Sequence, residues 1–239
     1  MRLEAPSFSP RIAVVTGASR GLGLAFARVL AEEGFSLALG ARDLPALERI
    51  AGELPGSHLA YPLDVENRAS VEVFAKAALD RFGRVDLLVN NAGVGIFKRL
   101  EELSEEEFDR QFRVNVRGAW LVTKAFLPAL EAVGGMVAMI SSDVSTRTFP
   151  RGGAYTATKF ALRALARTLQ QEHPNLRVLE LRPGATDTFF AGSTPGAEGK
   201  EWFLRPESVA EILRLAVRLP AEVRLEEVVL RSRSQPPEY

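Results

Sequence analysis

The chain has no cysteine and only two histidines, His58 and His173. Without thiols there is no disulfide, no thiolate metal site and no thiol nucleophile. Two imidazoles cannot build a multi-histidine metal centre. No apolar run approaches the roughly 18 residues that would suggest a membrane span. The opening residues, MRLEAPSFSP, lack the apolar stretch of a secretory signal. Charge of one sign is also missing, because 30 basic residues balance 30 acidic ones. No net field therefore draws the chain to nucleic acid or to an acidic membrane surface. Lysine is scarce, with 5 against 25 arginines. A cytoplasmic enzyme is the default reading of what is left. At 239 residues, 46% hydrophobic and 25% charged, the composition is that of an ordinary globular protein. A single α/β domain over residues 1–239 is expected, with loose ends at 1–10 and 232–239.

Apolar β-type runs alternate with helical patterns almost from end to end. The strand candidates are Arg11–Val15, Phe35–Leu39, Ser57–Tyr61, Val85–Val89, Met136–Ile140, Leu176–Leu181 and Glu227–Leu230. Most are short and apolar throughout, as strands buried on both faces should be. The helix candidates are Leu22–Glu33, Ala46–Leu54, Ser70–Phe82, Val116–Val133, Ala154–Glu172 and Glu207–Arg218, several ended by glycine or followed by proline. This alternation predicts an α/β fold: one doubly wound, Rossmann-type parallel sheet of about seven strands, with helices on both faces. The segment Thr186–Arg205 carries Gly192, Pro195, Gly196 and Gly199 and reads as a mobile loop over a site.

The first strand runs into Thr16-Gly17-Ala18-Ser19-Arg20-Gly21-Leu22-Gly23, and a helix follows. In a dinucleotide-binding unit such glycines have separate jobs: a tight turn, a close approach to the pyrophosphate, and close helix–strand packing. The helix N-terminus then presents free N–H groups and partial positive charge to the phosphates. The spacing here is G-x-x-x-G-x-G. The same residues also satisfy G-x-S-x-G, the nucleophile elbow of serine hydrolases. That chemistry would use Ser19 with a late histidine base, and only His173 is available.

Further along come Asn90-Asn91-Ala92-Gly93, Asn115, Ser141-Ser142, Tyr155-Thr156-Ala157-Thr158-Lys159 and Pro183-Gly184. In this order and with the glycine turn, the set resembles the short-chain dehydrogenase/reductase family in its shorter, non-epimerase branch, over about residues 11 to 231. The resemblance implies an oxidoreductase that moves a hydride between a nicotinamide and a carbonyl or alcohol. Tyr155 would be the general acid/base, Ser142 the hydrogen-bond donor to the substrate oxygen, and Lys159 the ligand of the nicotinamide ribose. Asn115 would hold a relay water. Ser141 is the neighbouring alternative to Ser142. The chemistry of the residues agrees: Tyr155 and Lys159 lie four apart and share a helix face. A nearby ammonium lowers a phenol from its ordinary pKa of about 10. A catalytically silent NADP-binding regulator is the alternative from another class, although Tyr155 and Lys159 are both intact.

The family resemblance also gives a cofactor site. It comprises Gly17, Ser19, Arg20, Gly21, Leu22, Gly23, Arg42, Asp64, Val65, Asn91, Ala92, Gly93, Tyr155, Lys159, Pro183, Gly184, Thr186 and Thr188. NAD-preferring members have an acid where Ala41 stands, binding the ribose 2′-hydroxyl. Here alanine is followed by Arg42, with Arg20 in the turn, and two guanidiniums suit a 2′-phosphate. NADP(H) is therefore expected over NAD(H). Asp43 either serves the ribose or caps the next helix. Candidate substrate walls are Val94, Ile96, Val144, Phe149, Arg151, Phe189, Phe190, Trp202 and Phe203. Their aromatic content suits an apolar substrate portion, or it packs the loop onto the body. Arg147 and Arg151 are candidates to meet a carboxylate. Asp143 either lines the pocket or serves a turn. A small carbonyl or alcohol substrate and a homotetramer or homodimer complete the expectations, with no metal, membrane or nucleic-acid partner.

Overall fold

A computed structural model of the protein describes residues 10–236. Seven parallel strands form one sheet in the order β3-β2-β1-β4-β5-β6-β7. They are β1 (Ile12–Thr16), β2 (Ser36–Ala41), β3 (His58–Pro62), β4 (Leu87–Asn90), β5 (Met136–Ile140), β6 (Arg177–Pro183) and β7 (Glu227–Leu230). The helices are α1 (Gly21–Glu32), α2 (Leu44–Glu53), α3 (Arg68–Phe82), α4 (Glu105–Phe112), α5 (Ala119–Glu131), α6 (Gly153–Glu172) and α7 (Pro206–Arg218). This is the expected doubly wound sheet, and the expected strands and helices fall within a few residues of the observed ones.

Successive side chains of a strand point to opposite faces, so each central strand feeds two cores. Ala13, Val15, Leu37, Leu39, Leu179 and Leu181 pack with α1, α2 and α7. Val14, Ala38, Leu88, Val137 and Val178 pack with α3, α5 and α6 on the other face. The three-layer arrangement explains the all-apolar strand runs. At the edges the demand relaxes: every residue of β3 and β7 is at least partly exposed.

Two elements depart from expectation. α4 was not anticipated, although Ser104 and Glu107 form a reciprocal capping box, a signal present in the sequence. The stretch around Asn115 is not ordinary helix: Arg113–Gly118 makes a π-helical turn between α4 and α5. Such turns recur at functional sites. The Thr186–Arg205 loop is pinned at its neck, by hydrogen bonds from Asp187 N to Leu204 O and from Leu204 N to Ala185 O. Of the expected loose ends, residues 1–9 and 237–239 lie outside the described residues. The described tail is ordered, with Gln235 N donating to Ser232 O.

Among the described residues no helix is long and apolar enough to cross a membrane. No group of His, Asp and Glu among them is placed to hold a metal ion.

Candidate active site

The carboxyl ends of β1, β4, β5 and β6 meet at one edge of the sheet, where ligands bind in open α/β folds. At β1 the three glycines have distinct reasons to be glycine. Gly17 and Gly21 have φ of 65° and 57°, a left-handed backbone that disfavours side chains. A Cβ on Gly17 would lie 3.0 Å from Ala92 Cα, and one on Gly23 would lie 2.1 Å from Gly17 O. Gly23 therefore sets how closely α1 packs on the turn.

Helices α2, α3 and α4 each begin on a side-chain cap, from Asp43, Asn67 and Ser104. Helix α1 does not: Arg20 occupies its N-cap without capping, and no acid lies in its first turn. Its first N–H groups are left without a side-chain acceptor, which fits a phosphate there. The glycine cradle and this uncapped end are compatible with a dinucleotide. Asp43 accepts from Ala46 N at 3.1 Å, so of its two readings the helix cap holds. Arg42 is exposed and makes no hydrogen bond or ion pair among the described residues, and Ala41 is buried beside it. The Arg20 guanidinium lies 5.6 Å from the Phe189 ring centroid.

Thr16 organises the second turn, a role not anticipated. Its buried hydroxyl donates to Val89 O and accepts from Asn91 N and Ala92 N. Asn91 Nδ2 in turn donates to Thr16 O and Gly17 O. A polar β-branched residue ending an apolar strand was the available signal. Asp64 caps its own turn by accepting from Glu66 N. Val65 packs where a side chain on Gly118 would stand. Thr188 covers Gly21, where a Cβ would come 3.3 Å from its side chain. Thr186 Oγ1 donates to Gly184 O. Gly184 is crowded by Leu230 O and the Gln235 side chain. Gly93, Ser19, Leu22 and Pro183 fall on the same turns, so the residues expected to bind the cofactor are gathered at one edge.

The residues expected to react converge beside it. Asn115 is locked from two sides: its Oδ1 accepts from Val94 N, and its Nδ2 donates to Val94 O and Thr158 Oγ1. Thr158 Oγ1 passes the chain on to Tyr155 O. Lys159 Nζ donates to Ile140 O at 3.0 Å and lies 5.5 Å from the centroid of the Tyr155 ring. Ser142 Oγ is within 3.4 Å of Asp143 Oδ1 and of Pro183 O, and it hydrogen-bonds the Tyr155 side chain. Ser141 instead points back to Lys159 O, so Ser142 is the serine at the phenol.

The electrostatics correct one expectation. Burial pushes the Tyr155 phenol above its ordinary value; the Ser142 hydrogen bond opposes this and the Asp143 carboxylate adds to it. Lys159, whose ammonium donates to a backbone carbonyl, is not among the groups that shift it. Burial brings Lys159 itself down to about 8, with Glu180 holding it up. Glu180 and Arg182 are buried charges on β6. They were missed, although two charged residues alternating in an apolar strand were a visible signal. Glu180 accepts from Ser145 Oγ and lies near Arg163 and Arg182.

Asp143 is neither a bare pocket wall nor an ordinary turn residue, since Arg147 and Arg231 both bond its Oδ2. Arg147 is thus already engaged with a carboxylate. The hydrolase arrangement does not form: Ser19 lies at the carboxyl end of β1, while His173 follows α6 at the opposite sheet edge and pairs with Glu131. The substrate-side aromatics form a closed cluster of Phe97, Phe149, Tyr155 and Phe190. Phe97 was absent from the expected walls.

The parallel sheet and its glycine turn define a Rossmann-type nucleotide-binding protein. The model of the short chain dehydrogenase family matches residues 11–198. The chain belongs to that family and is an oxidoreductase of it. It is similar to an alcohol dehydrogenase from the archaeon Thermococcus sibiricus, solved with 5-hydroxy-NADP: 52% identity, TM-score 0.92, covering 96% of this chain and 99% of that one. It is similar also to the 3-ketoacyl-(acyl-carrier-protein) reductase of Brucella melitensis, solved with NADH: 30% identity, TM-score 0.86, covering 94% and 98%. A curated relative is the glycine betaine reductase ATRR of Emericella nidulans, 37% identical over 242 residues. That match covers 95% of this chain but only 19% of the fungal protein's length.

Proposed function

We propose that the protein is an NADP(H)-dependent reductase/dehydrogenase that interconverts a carbonyl and an alcohol on a small molecule. The convergence of Asn115, Ser142, Tyr155 and Lys159 at the edge that carries the glycine turn supports this reading above all. When bound, the nicotinamide supplies or accepts the hydride at the substrate carbon. In reduction the Tyr155 hydroxyl gives its proton to the carbonyl oxygen, while the Ser142 hydroxyl donates a hydrogen bond to that oxygen. The phenol is protonated at working pH, as an ordinary tyrosine would be, and so carries the proton to be given; burial raises it further. Lys159 Nζ lies 5.5 Å from the centroid of the Tyr155 ring, where it serves as the ligand of the nicotinamide ribose. The net change is one carbonyl and one NADPH plus a proton, giving one alcohol and NADP+.

The preference for NADP(H) rests on Ala41, which brings no carboxylate, and on Arg42, which is exposed and unengaged. Arg20 is the second candidate for the 2′-phosphate, and the dehydrogenase with the NADP derivative is the relative at 52% identity. We place the protein in the cytoplasm as a single domain that self-associates. The exposed Phe108, Trp120 and Phe160 on α4, α5 and α6 offer the face for this; Trp120→Glu shifts the species seen by light scattering to a smaller one.

The test is absorbance at the NADPH band with aldehydes, ketones and diketones. Turnover is expected with NADPH and is expected to fall about 10²–10⁴-fold in Tyr155→Phe, the usual share of general acid catalysis. Unchanged turnover in that variant refutes the assignment. Tight NADPH binding without any turnover favours the silent regulator.

A further inference from the structure

The ring of Phe190 packs against that of Tyr155, the expected acid, within the aromatic cluster. Its centroid is 5.6 Å from that of Tyr155 and 6.4 Å from that of Phe97. Phe97 meets Tyr155 edge-on at 5.4 Å and 84°, and meets Phe149 at 5.5 Å and 72°. Bare backbone makes room for Phe190: a Cβ on Gly95 would come 2.6 Å from its Cε1.

The placement is built in by the loop. Ala191 and Gly192, just after Phe190, both have left-handed backbone, with φ of 55° and 76°. Lys200 Nζ ties the loop internally, donating to Asp187 Oδ1 at 3.0 Å and to Thr188 O and Thr194 O. Neighbouring aromatics divide the two sides of the site: Phe189 lies under Arg20 of the glycine turn, and Phe190 lies on Tyr155.

A carbonyl that reaches the hydroxyls of Tyr155 and Ser142 carries two substituents. The larger must lie against Phe97 and Phe149, so Phe190 must yield that space. A flat aromatic group replaces the lost ring contacts in kind, by offset or edge-to-face packing. A small alkyl group displaces the same ring and recovers little. We propose that Phe97, Phe149 and Phe190 form the specificity slot beside Tyr155 and that it takes aryl aldehydes and aryl ketones, the Phe190 ring holding the place of the aryl group until substrate arrives. This rests on the carbonyl-reductase reading and names its substrate class.

The experiment compares acetophenone with 2-butanone, using NADPH and the full chain. Wild type is expected to show at least tenfold higher kcat/KM on acetophenone, the intrinsically less reactive ketone. Phe97→Ala should lower that value tenfold or more, and by a larger factor than it lowers the 2-butanone value. Phe190→Ala and Gly95→Ala, which remove or push out the ring, should raise kcat/KM for 2-butanone and so narrow the ratio. Calorimetric binding of 1-phenylethanol to the free enzyme supplies a readout without turnover, and it should weaken in Phe97→Ala. An aryl/alkyl ratio near one in wild type, or a ratio unmoved by Phe97→Ala, overturns the slot while the reductase reading stands. Tenfold preference for betaine aldehyde over acetophenone also overturns it, since aromatic faces attract quaternary ammonium as well. If instead Tyr155→Phe stays active, the reductase reading falls, and the 1-phenylethanol affinities alone judge the slot.

Discussion

The glycine turn and the aromatic slot face each other across the same sheet edge, and they are built in opposite ways. The turn is backbone: Gly17, Gly21 and Gly23 are shaped by φ values and by approaches too close for a methyl group. The slot is side chain: four aromatic rings from three separate segments pack on one another. A backbone cradle has one shape and suits one shared cofactor. A cluster of rings can be repacked without disturbing the sheet, which lets specificity vary on a constant frame. The contrast has an electrostatic side. The uncapped α1 end offers partial positive charge, whereas burial pushes the Tyr155 phenol above its ordinary value.

The difference can be tested from its strongest point downwards. Gly23→Ala puts a methyl 2.1 Å from Gly17 O. It should destabilise the fold by about 3 kcal/mol, seen as a lower denaturant midpoint, together with loss of NADPH binding. A well-folded Gly23→Ala with unchanged NADPH affinity would erase the distinction, because the turn would then have give.

Lys159, between the two regions, comes next. Its folded pKa of about 8 lies below its unfolded value near 10.5. Between these values the unfolded chain binds more protons, so stability rises with pH across that window. The gain is about 2–3 kcal/mol, and Lys159→Met should abolish it and be the more stable protein at pH 7. Urea unfolding of both proteins at pH 7 and pH 10 measures this; parallel changes in the two would show that the ammonium is not desolvated.

On the cofactor side, Arg42→Ala should weaken NADPH about 10–100-fold and leave NADH nearly unchanged, as loss of a charge-assisted phosphate contact requires. Equal weakening of both, in fluorescence titrations, would remove the 2′-phosphate from the account.

The smallest effect lies far from either region and controls for them. Glu33, bonded by Arg218 and Arg214, has its carboxyl held down at about 2. Its contribution is full above the ordinary value near 4.5 and is lost as pH falls from there towards 2. One partner is well exposed, so solvent screening leaves about 1 kcal/mol. Glu33→Gln should unfold more readily than wild type at pH 6, with the gap closing below pH 3 and activity unaffected.

Legibility differed between the regions for the same reason. Gly17, Gly21 and Gly23 were readable because a local backbone demand leaves a residue type at a fixed spacing. Tyr155, Lys159 and Ser142 were readable as an ordered set that chemistry could interpret. The cap role of Asp43 was one of two readings, and the hydrogen bond to Ala46 decides it. Phe97 escaped notice because a ring in a polar loop has no local signature. It matters only when Tyr155 and Phe190 arrive from residues far along the chain. Glu180 and Arg182 were overlooked although their alternation was visible, because what they face is set by α6 and β7.

The amino-acid order alone determined the α/β alternation, the glycine turn and the ordered motifs of the family, since each follows from local periodicity, φ demands or residue order. The tertiary structure alone decided how those groups behave. It turned the Lys159 ammonium to a carbonyl, raised the Tyr155 phenol by burial, bound Arg147 to Asp143, and packed the Phe190 ring against that of Tyr155. Burial, partner and field belong to groups brought together from distant segments, and no stretch of sequence holds them.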